Sequence, residues 1–351
     1  MPTRNSFLSR SAIFALAIAS ATVTVTPPAS AVDVYTDPVG FISHTIVGTN
    51  GISGPAYSLL GLGMTQLVTN RGVITATAGT KLTVNNTLPA AGFNSGANGP
   101  LYFIEVTSGA TAGVNEDIVS NDTTSVFTAT DVSSLMPATS TYKIYPHWTI
   151  AKVFGPANEA GLNTADQILI QNPLTQAFTT YFFSTGGKAG VGWRNPGTGA
   201  DDKATVPLYI DQGVLLKRAL ANTITNKLVG AVKLGAGAVS NGNTLVPIVP
   251  LKNLVGNVYA TSSMTLSNSN LYTGNSATGL TSTDQVLIHN DQTGVFTTYF
   301  WSTGGKAGVG WRTAAGGATE QGTTPIPIGA SVLIQLAPGN PGFNWNAKAA
   351  Y

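Results

Sequence analysis

The chain has 351 residues, of which 17 are Lys or Arg, 15 are Asp or Glu and none is Cys. Charged residues make up only 9% and hydrophobic residues 43%, which excludes a disordered or polybasic protein. The lack of Cys excludes disulfide scaffolds and thiolate chemistry. The near-neutral charge argues against nucleic acid as a partner, because that affinity comes from clustered Lys and Arg.

The N-terminal segment has the order of a secretory signal peptide at residues 1–31. Arg4 and Arg10 precede an apolar run, and the small residues Ala29 and Ala31 satisfy the A-x-A cleavage rule. Cleavage would leave Val32 first and equal numbers of basic and acidic residues, 15 of each. An uncleaved anchor is the alternative, but the apolar run is short for a membrane span. No later segment is long and apolar enough for a transmembrane helix, so we expect a secreted or surface-exposed protein.

The rest of the chain predicts short strands joined by tight turns. Thr, Val, Ile, Tyr and Phe dominate and are punctuated by Gly, Asn, Pro and Ser. Clear strands are predicted at residues 73–77, 81–84, 101–106 and 125–129. Helical periodicity is nearly absent, with one apolar turn before Gly155 and another before Gly256. The fold class is therefore predicted to be all-β.

An internal repeat divides the chain. Residues 178–194 and 296–312 are identical at 16 of 17 positions, at an offset of 118. The repeat predicts two tandem related domains of β-sandwich or barrel type, at residues 32–226 and 227–351. The first is longer, and its surplus at about residues 70–142 predicts an inserted β subdomain.

A weaker similarity links Val39-Gly40-Phe41 to Val229-Gly230-Ala231. We interpret it as the corresponding starts of the two repeated units.

Each copy of the motif predicts a β-hairpin with a glycine-rich turn. One interpretation makes its aromatic and arginine side chains stacking platforms for sugar rings. The candidate ligand-binding residues are Tyr181, Trp193, Arg194, Tyr299, Trp311 and Arg312. The favoured alternative is that the aromatics fill the core or a domain interface. Gly186-Gly187-Lys188 does not fit a phosphate loop, because Phe182 and Ala189 occupy positions that need glycine and a hydroxyl.

The residues available for catalysis are few. His44, His147 and His289 are far apart in sequence, and no nucleophile-elbow or zinc-protease motif occurs. Asp166 and Asp284, which correspond in the repeat, are typical of turn aspartates that cap backbone amides. We predict no enzyme, no metal site and no cofactor.

The C-terminal residues 343–351 alternate aromatic or alanine residues with polar ones. This pattern resembles the last strand of outer-membrane barrels. Two other interpretations are a strand that closes the sheet of the second domain and a strand that pairs with a neighbouring copy.

The chain resembles an uncharacterised family of secreted proteins from Verrucomicrobia-type bacteria. The motifs that carry the resemblance are Asp37-Pro38-Val39-Gly40-Phe41, the stretch 102–113, the paired Asp-Gln-Val/Ile-Leu strands and the hairpins that end in Gly-Trp-Arg. The resemblance implies export from a Gram-negative-type cell.

Low charge, 47 Thr, 40 Gly and a duplicated β module predict an exported structural protein of the cell surface or extracellular matrix. Self-assembly through β-strand contacts is expected, with other surface proteins or glycans as further partners. The alternatives are a carbohydrate-binding or adhesin module and an outer-membrane β-barrel.

Overall fold

The computed structural model describes residues 37–51, 54–233, 243–260 and 264–348. Strands dominate this part of the chain, so the all-β prediction is confirmed. The predicted signal peptide at residues 1–31 lies outside the described residues. The described part of the chain contains no helix with the length and apolar character of a membrane span.

The first module, residues 39–232, begins with strand β1 and ends with β16. Its elements are β1 (Val39–Ile46), β2 (Ala56–Leu60), β3 (Met64–Thr65), β4 (Asn70–Ala78), β5 (Lys81–Val84), β6 (Tyr102–Val106), β7 (Asn115–Asn121), β8 (Ser125–Thr128), β9 (Thr141–Pro146), β10 (Trp148–Thr149), α1 (Ile150–Phe154), β11 (Gln167–Gln171), β12 (Phe178–Thr185), β13 (Val191–Arg194), β14 (Pro207–Leu208), β15 (Val214–Arg218) and β16 (Ile224–Val232).

Strands β4 to β9 close into a barrel in the order β4-β5-β8-β7-β6-β9, and β9 pairs back onto β4. Apolar side chains fill its interior, among them Ile74, Leu82, Ile104 and Ile144. The barrel occupies the stretch of sequence for which we predicted an inserted subdomain. In sequence it lies between β3 and β11, which belong to the two sheets of one sandwich.

Eight of the remaining strands of the first module form two packed layers, and the other two, β10 and β14, pair with each other. One layer is a five-stranded sheet in the order β13-β12-β11-β15-β2, and the other is a three-stranded sheet in the order β1-β16-β3. Ile42 and Leu228 of the smaller sheet share a core with Ile168 and Leu216 of the larger sheet. Period-2 alternation produces this arrangement, because it places the apolar side chains of each strand on one face.

The second module, residues 243–348, repeats this sandwich without the barrel. Its strands are β17 (Asn243–Ile248), β18 (Lys252–Gly256), β19 (Gln285–Asn290), β20 (Val295–Thr303), β21 (Val309–Thr313), β22 (Ser331–Gln335) and β23 (Phe343–Lys348). The five-stranded sheet has the order β18-β22-β19-β20-β21, which matches the first module, and β17 pairs with β23. Strand β23 therefore pairs within the chain, and its Phe343, Trp345 and Ala347 are buried in the second core.

The similarity between the segments at Val39 and Val229 is a strand pairing and does not mark two domain starts. Strands β1 and β16 are antiparallel neighbours, with Gly40 opposite Gly230. The predicted boundary at residues 226–227 falls inside β16, which completes the first sandwich. The second module begins instead at β17.

One of the two predicted helical turns is present. Residues Ile150–Phe154 form α1, with the Thr149 hydroxyl accepting from the Lys152 amide at the N-terminus and Gly155 at the C-terminus. The turn predicted before Gly256 is wrong, because those residues form β18. Leu254 and Val255 pair with β22 there, and three apolar residues are too short a pattern to distinguish a turn from a strand.

The two modules contact each other through equivalent groups. Leu60 of the first module forms a β-bridge with Ala330 of the second. Val255, which corresponds to Leu60 in the second module, forms a β-bridge with Gln212 of the first. The Gly61 amide donates to the Gly329 carbonyl at 2.9 Å, and the equivalent Gly256 amide donates to Asp211 at 3.0 Å. The interface is thus an approximate two-fold contact within one chain, and the described residues from Asp37 onward form one compact unit.

Candidate functional site

The tryptophans predicted as sugar platforms are core residues. Trp193 and Trp311 are fully buried, and the Trp193 indole Nε1 donates to the Gly155 carbonyl at 2.9 Å. Phe183 contacts Trp193 edge to face, and its counterpart Trp301 stacks on Tyr272 with ring centroids 4.2 Å apart. The hypothesis of stacking platforms is therefore wrong for these rings, because neither tryptophan presents a face to a ligand.

The two tyrosines of the set also face the cores. Tyr299 is buried in the second core, and Tyr181 is half-buried against the first. Burial raises the pKa of Tyr181. The alternative that these aromatics fill the cores is the arrangement found.

The two arginines of the set hold the hairpin turns together. In the first copy, the Arg194 guanidinium donates to the carbonyls of Ala189 at 2.6 Å, Val191 at 2.8 Å and Trp193 at 2.8 Å. Arg312 makes the same three contacts in the second copy. The guanidinium lies over Gly192, where a Cβ atom would stand 3.0 Å from Nη1. Each arginine is therefore a structural clamp, and the glycine makes room for it.

A polar network lies where the barrel meets the first sandwich, and sequence reasoning missed it. The Asp117 carboxylate is 2.8 Å from His147 Nε2 and accepts from the Tyr209 hydroxyl at 2.9 Å. Nearby, Lys233 forms a buried ion pair with Glu105. These residues are dispersed over more than a hundred positions, so no local pattern could have brought them together. In the described residues, no group of three or more His, Asp or Glu has the arrangement of a metal site.

An exposed apolar face lies on the smaller sheet of the first module. Val39 and Phe41 of β1 are 62% and 68% exposed, and Val229 of β16, directly opposite Phe41, is 63% exposed. Lys227 borders this face. The same strand buries Ile42 and Ile46 on its other side, so β1 is apolar on both faces at its N-terminal half. We call Val39, Phe41 and Val229 the β1 apolar face.

In the part of the chain that the structure describes, β1 is an edge strand, and no described strand pairs with its backbone on the side away from β16. The Val232 amide donates to the Pro38 carbonyl at 2.7 Å, which fixes the alternation of hydrogen-bonding groups along β1. The amides of Phe41, Ser43 and Thr45 consequently point to the open edge. Further along, the Val47 amide donates to Ser58 Oγ of β2 at 3.0 Å, so β2 covers the edge from that residue onward.

The β1 apolar face therefore lies beside a row of backbone groups with which none of the described strands pairs. An exposed apolar edge strand of this kind is a template for pairing with a further strand. The sequence signal for it was the pattern of residues 39–42, in which apolar side chains lie on both strand faces.

Comparisons of the chain with protein-family models, curated proteins and solved structures find no match.

Proposed function

We propose that this protein is an exported structural component of the cell surface or extracellular matrix, and that copies associate through antiparallel pairing of their β1 strands. The observation that carries the proposal is the edge strand β1 with its exposed Val39 and Phe41. Export is supported by the signal-peptide pattern at residues 1–31. Low charge supports association, because it leaves little repulsion between copies.

Pairing with a second copy fits the geometry of β1. If Phe41 lies opposite Phe41 or Thr45 of the second copy, the exposed side chains of both strands lie on the same side of the combined sheet. Val39 and Phe41 of the two copies then form one apolar stripe across a continuous sheet. A pairing shifted by one residue would place Phe41 of one copy opposite residues of the second β1 strand whose side chains point into its own core. The exposed apolar face therefore selects the register.

The charges around β1 also permit the pairing. Strand β1 contains no Lys, Arg, Asp or Glu, and Lys227 of β16 borders the β1 apolar face. In a β1–β1 pair the two copies of Lys227 would be three strand spacings apart, about 14 Å. That separation exceeds the screening length of about 8 Å at physiological salt, so the repulsion is weak.

The edge strands β13 and β21 are less suited to the same role. They are 4 and 5 residues long, compared with 8 residues for β1, and each contains an arginine that is occupied by its own turn. Short, charged edges are the form in which proteins avoid strand pairing.

The experiment is light scattering and sedimentation of the predicted mature protein, residues 32–351, over a range of concentrations. Phe41→Asp places a charge in the proposed stripe and should abolish association. Val295→Asp is the matched control, because Val295 is 60% exposed on strand β20, away from β1. Association that survives Phe41→Asp, or that is lost equally with Val295→Asp, would contradict the proposal.

A further inference from the structure

A cavity of about 240 Å³ lies where the two modules meet. Its polar side comes from the loop between β14 and β15, with Tyr209, Asp211 and Gln212. Its apolar side includes Pro247, Leu254 and Val255 of the second module. This volume corresponds to about eight water molecules, so it admits a small organic ligand. Small-molecule sites commonly combine an apolar wall with a few polar groups in this way.

Several polar groups around the cavity already have partners. The Gln171 amide Nε2 donates to the Lys252 carbonyl, and its Oε1 accepts from the Leu254 amide at 2.8 Å. Asn253 exchanges two hydrogen bonds with Val249. The Tyr209 hydroxyl donates to Asp117, so its donor is also occupied.

The Asp211 carboxylate is different. Among the described residues, no Lys, Arg or His forms an ion pair with it. Burial raises the pKa of Asp211, and a hydrogen bond from its own backbone amide partly opposes that shift. Among the nearby charges, that of His147 lowers the pKa, that of Asp117 raises it and that of Lys233 lowers it. One amide meets only part of the acceptor capacity of a carboxylate, and a buried carboxylate destabilises the protein unless further donors or a cation meet it.

The second module provides an internal comparison. Its residue at the position of Asp211 is Gly329, at the same offset of 118. A Cβ atom on Gly329 would stand 2.6 Å from Ile42 and 3.1 Å from His44, so β1 fills the equivalent space. The repeated architecture thus does not require a carboxylate at this position. Asp211 belongs to the cavity and not to the common fold.

We infer that the cavity binds a small primary ammonium group on a short apolar stem, with Asp211 accepting the N–H donors and the stem packed on Pro247, Leu254 and Val255. The groups that the site leaves available are acceptors, since the Gln212 side-chain amide and the Tyr209 hydroxyl already donate elsewhere and Asp211 lines the cavity. A primary ammonium group on an apolar stem occurs in free alkylamines and in the lysine side chain. The inference does not depend on self-association through β1.

Calorimetric titration of the predicted mature protein at pH 7 tests this inference. The probes are cyclohexylammonium and cyclohexanol, which differ mainly in the charged group. We expect the ammonium compound to bind at least tenfold more tightly than the alcohol. Asp211→Asn should remove that preference, and Asp201→Asn, a change of the same chemistry at an exposed loop residue, should retain it.

Equal binding of the two probes, or an ammonium preference that Asp211→Asn leaves unchanged, would overturn the inference. Thermal unfolding of both variants separates loss of the site from loss of the fold. Nα-acetyllysine amide then identifies the source. If it binds and Asp211→Asn weakens it, the site accepts a lysine side chain; if only cyclohexylammonium binds, the ligand is a small amine. Failure of both amines to bind also overturns the inference.

Discussion

Two aspartates at equivalent positions of the modules, Asp166 and Asp284, perform the same capping task with different partners. Asp166 accepts from the amides of Asn163 at 2.6 Å and Ala219 at 2.7 Å, as the turn pattern predicts. It also pairs with the fully buried Arg218 at 2.7 Å. The residue at the Arg218 position in the second module is Leu336, so there Asp284 is a cap without a buried ion pair.

We expect Asp166→Asn to destabilise the protein more than Asp284→Asn. The first change leaves the Arg218 charge buried and uncompensated, which costs about 3–5 kcal/mol. The second weakens capping hydrogen bonds and costs roughly 1–3 kcal/mol. Denaturant unfolding measures both free energies. Equal losses for the two variants would show that the Arg218 ion pair does not have this role.

His44 gives the molecule a pH dependence. The His44 side chain lies on the buried face of β1. Burial lowers the pKa of His44 from 6.5 to about 4, although a backbone hydrogen bond at Gly329 opposes the shift. Between pH 6.5 and pH 4 the imidazole of His44 is protonated in the unfolded chain but neutral in the folded protein. The free energy of unfolding therefore falls as the pH is lowered from 6.5 to 4. The full loss is about 3 kcal/mol. The measurement is denaturant unfolding at several pH values. His44→Gln should flatten the curve in this window, and parallel curves for the two proteins would contradict the prediction.

At the level of elements, the hairpins depend on the arginine clamp. Arg194→Lys should destabilise the first hairpin by roughly 1–3 kcal/mol, because one ammonium cannot span three carbonyls. Hydrogen exchange of residues 185–192 should accelerate, while the equivalent residues 303–310 stay protected. Arg312→Lys should give the reverse pattern. Unchanged exchange in both variants would show that the glycine-rich turns hold without the clamp.

The hairpins were predictable because their information is local. Alternating Thr and aromatic residues followed by Gly186 and Gly187 indicate two strands and a turn, and both glycines have positive φ. The position of β1 at the edge of its sheet was not predictable from local sequence. The pattern around Phe41 shows an apolar strand but carries no information about its neighbour β16, about 190 residues later in the chain. The same limit hid the cavity, since Asp211 and Leu254 come together only through the fold.

At the level of the whole molecule, the two modules should unfold together because they share backbone hydrogen bonds. Gly61→Ala tests this coupling, since the new Cβ would stand 2.3 Å from the Ala330 carbonyl oxygen. Scanning calorimetry should show one transition for the parent and two for the variant. Gly197→Ala is the control, because its Cβ meets only a side-chain oxygen at 3.2 Å. A single unchanged transition in Gly61→Ala would mean that the interface does not couple the modules.

Association of copies through the edge of β1 is the central functional claim. Residue-resolved hydrogen exchange of the mature protein, measured below and above the concentration at which it associates, tests it most directly. Pairing of β1 strands predicts that the outward amides of Phe41, Ser43 and Thr45 become protected on association. The amide of His44, which faces β16, should be protected at both concentrations. Association that leaves the three outward amides exchanging freely would contradict strand pairing through β1.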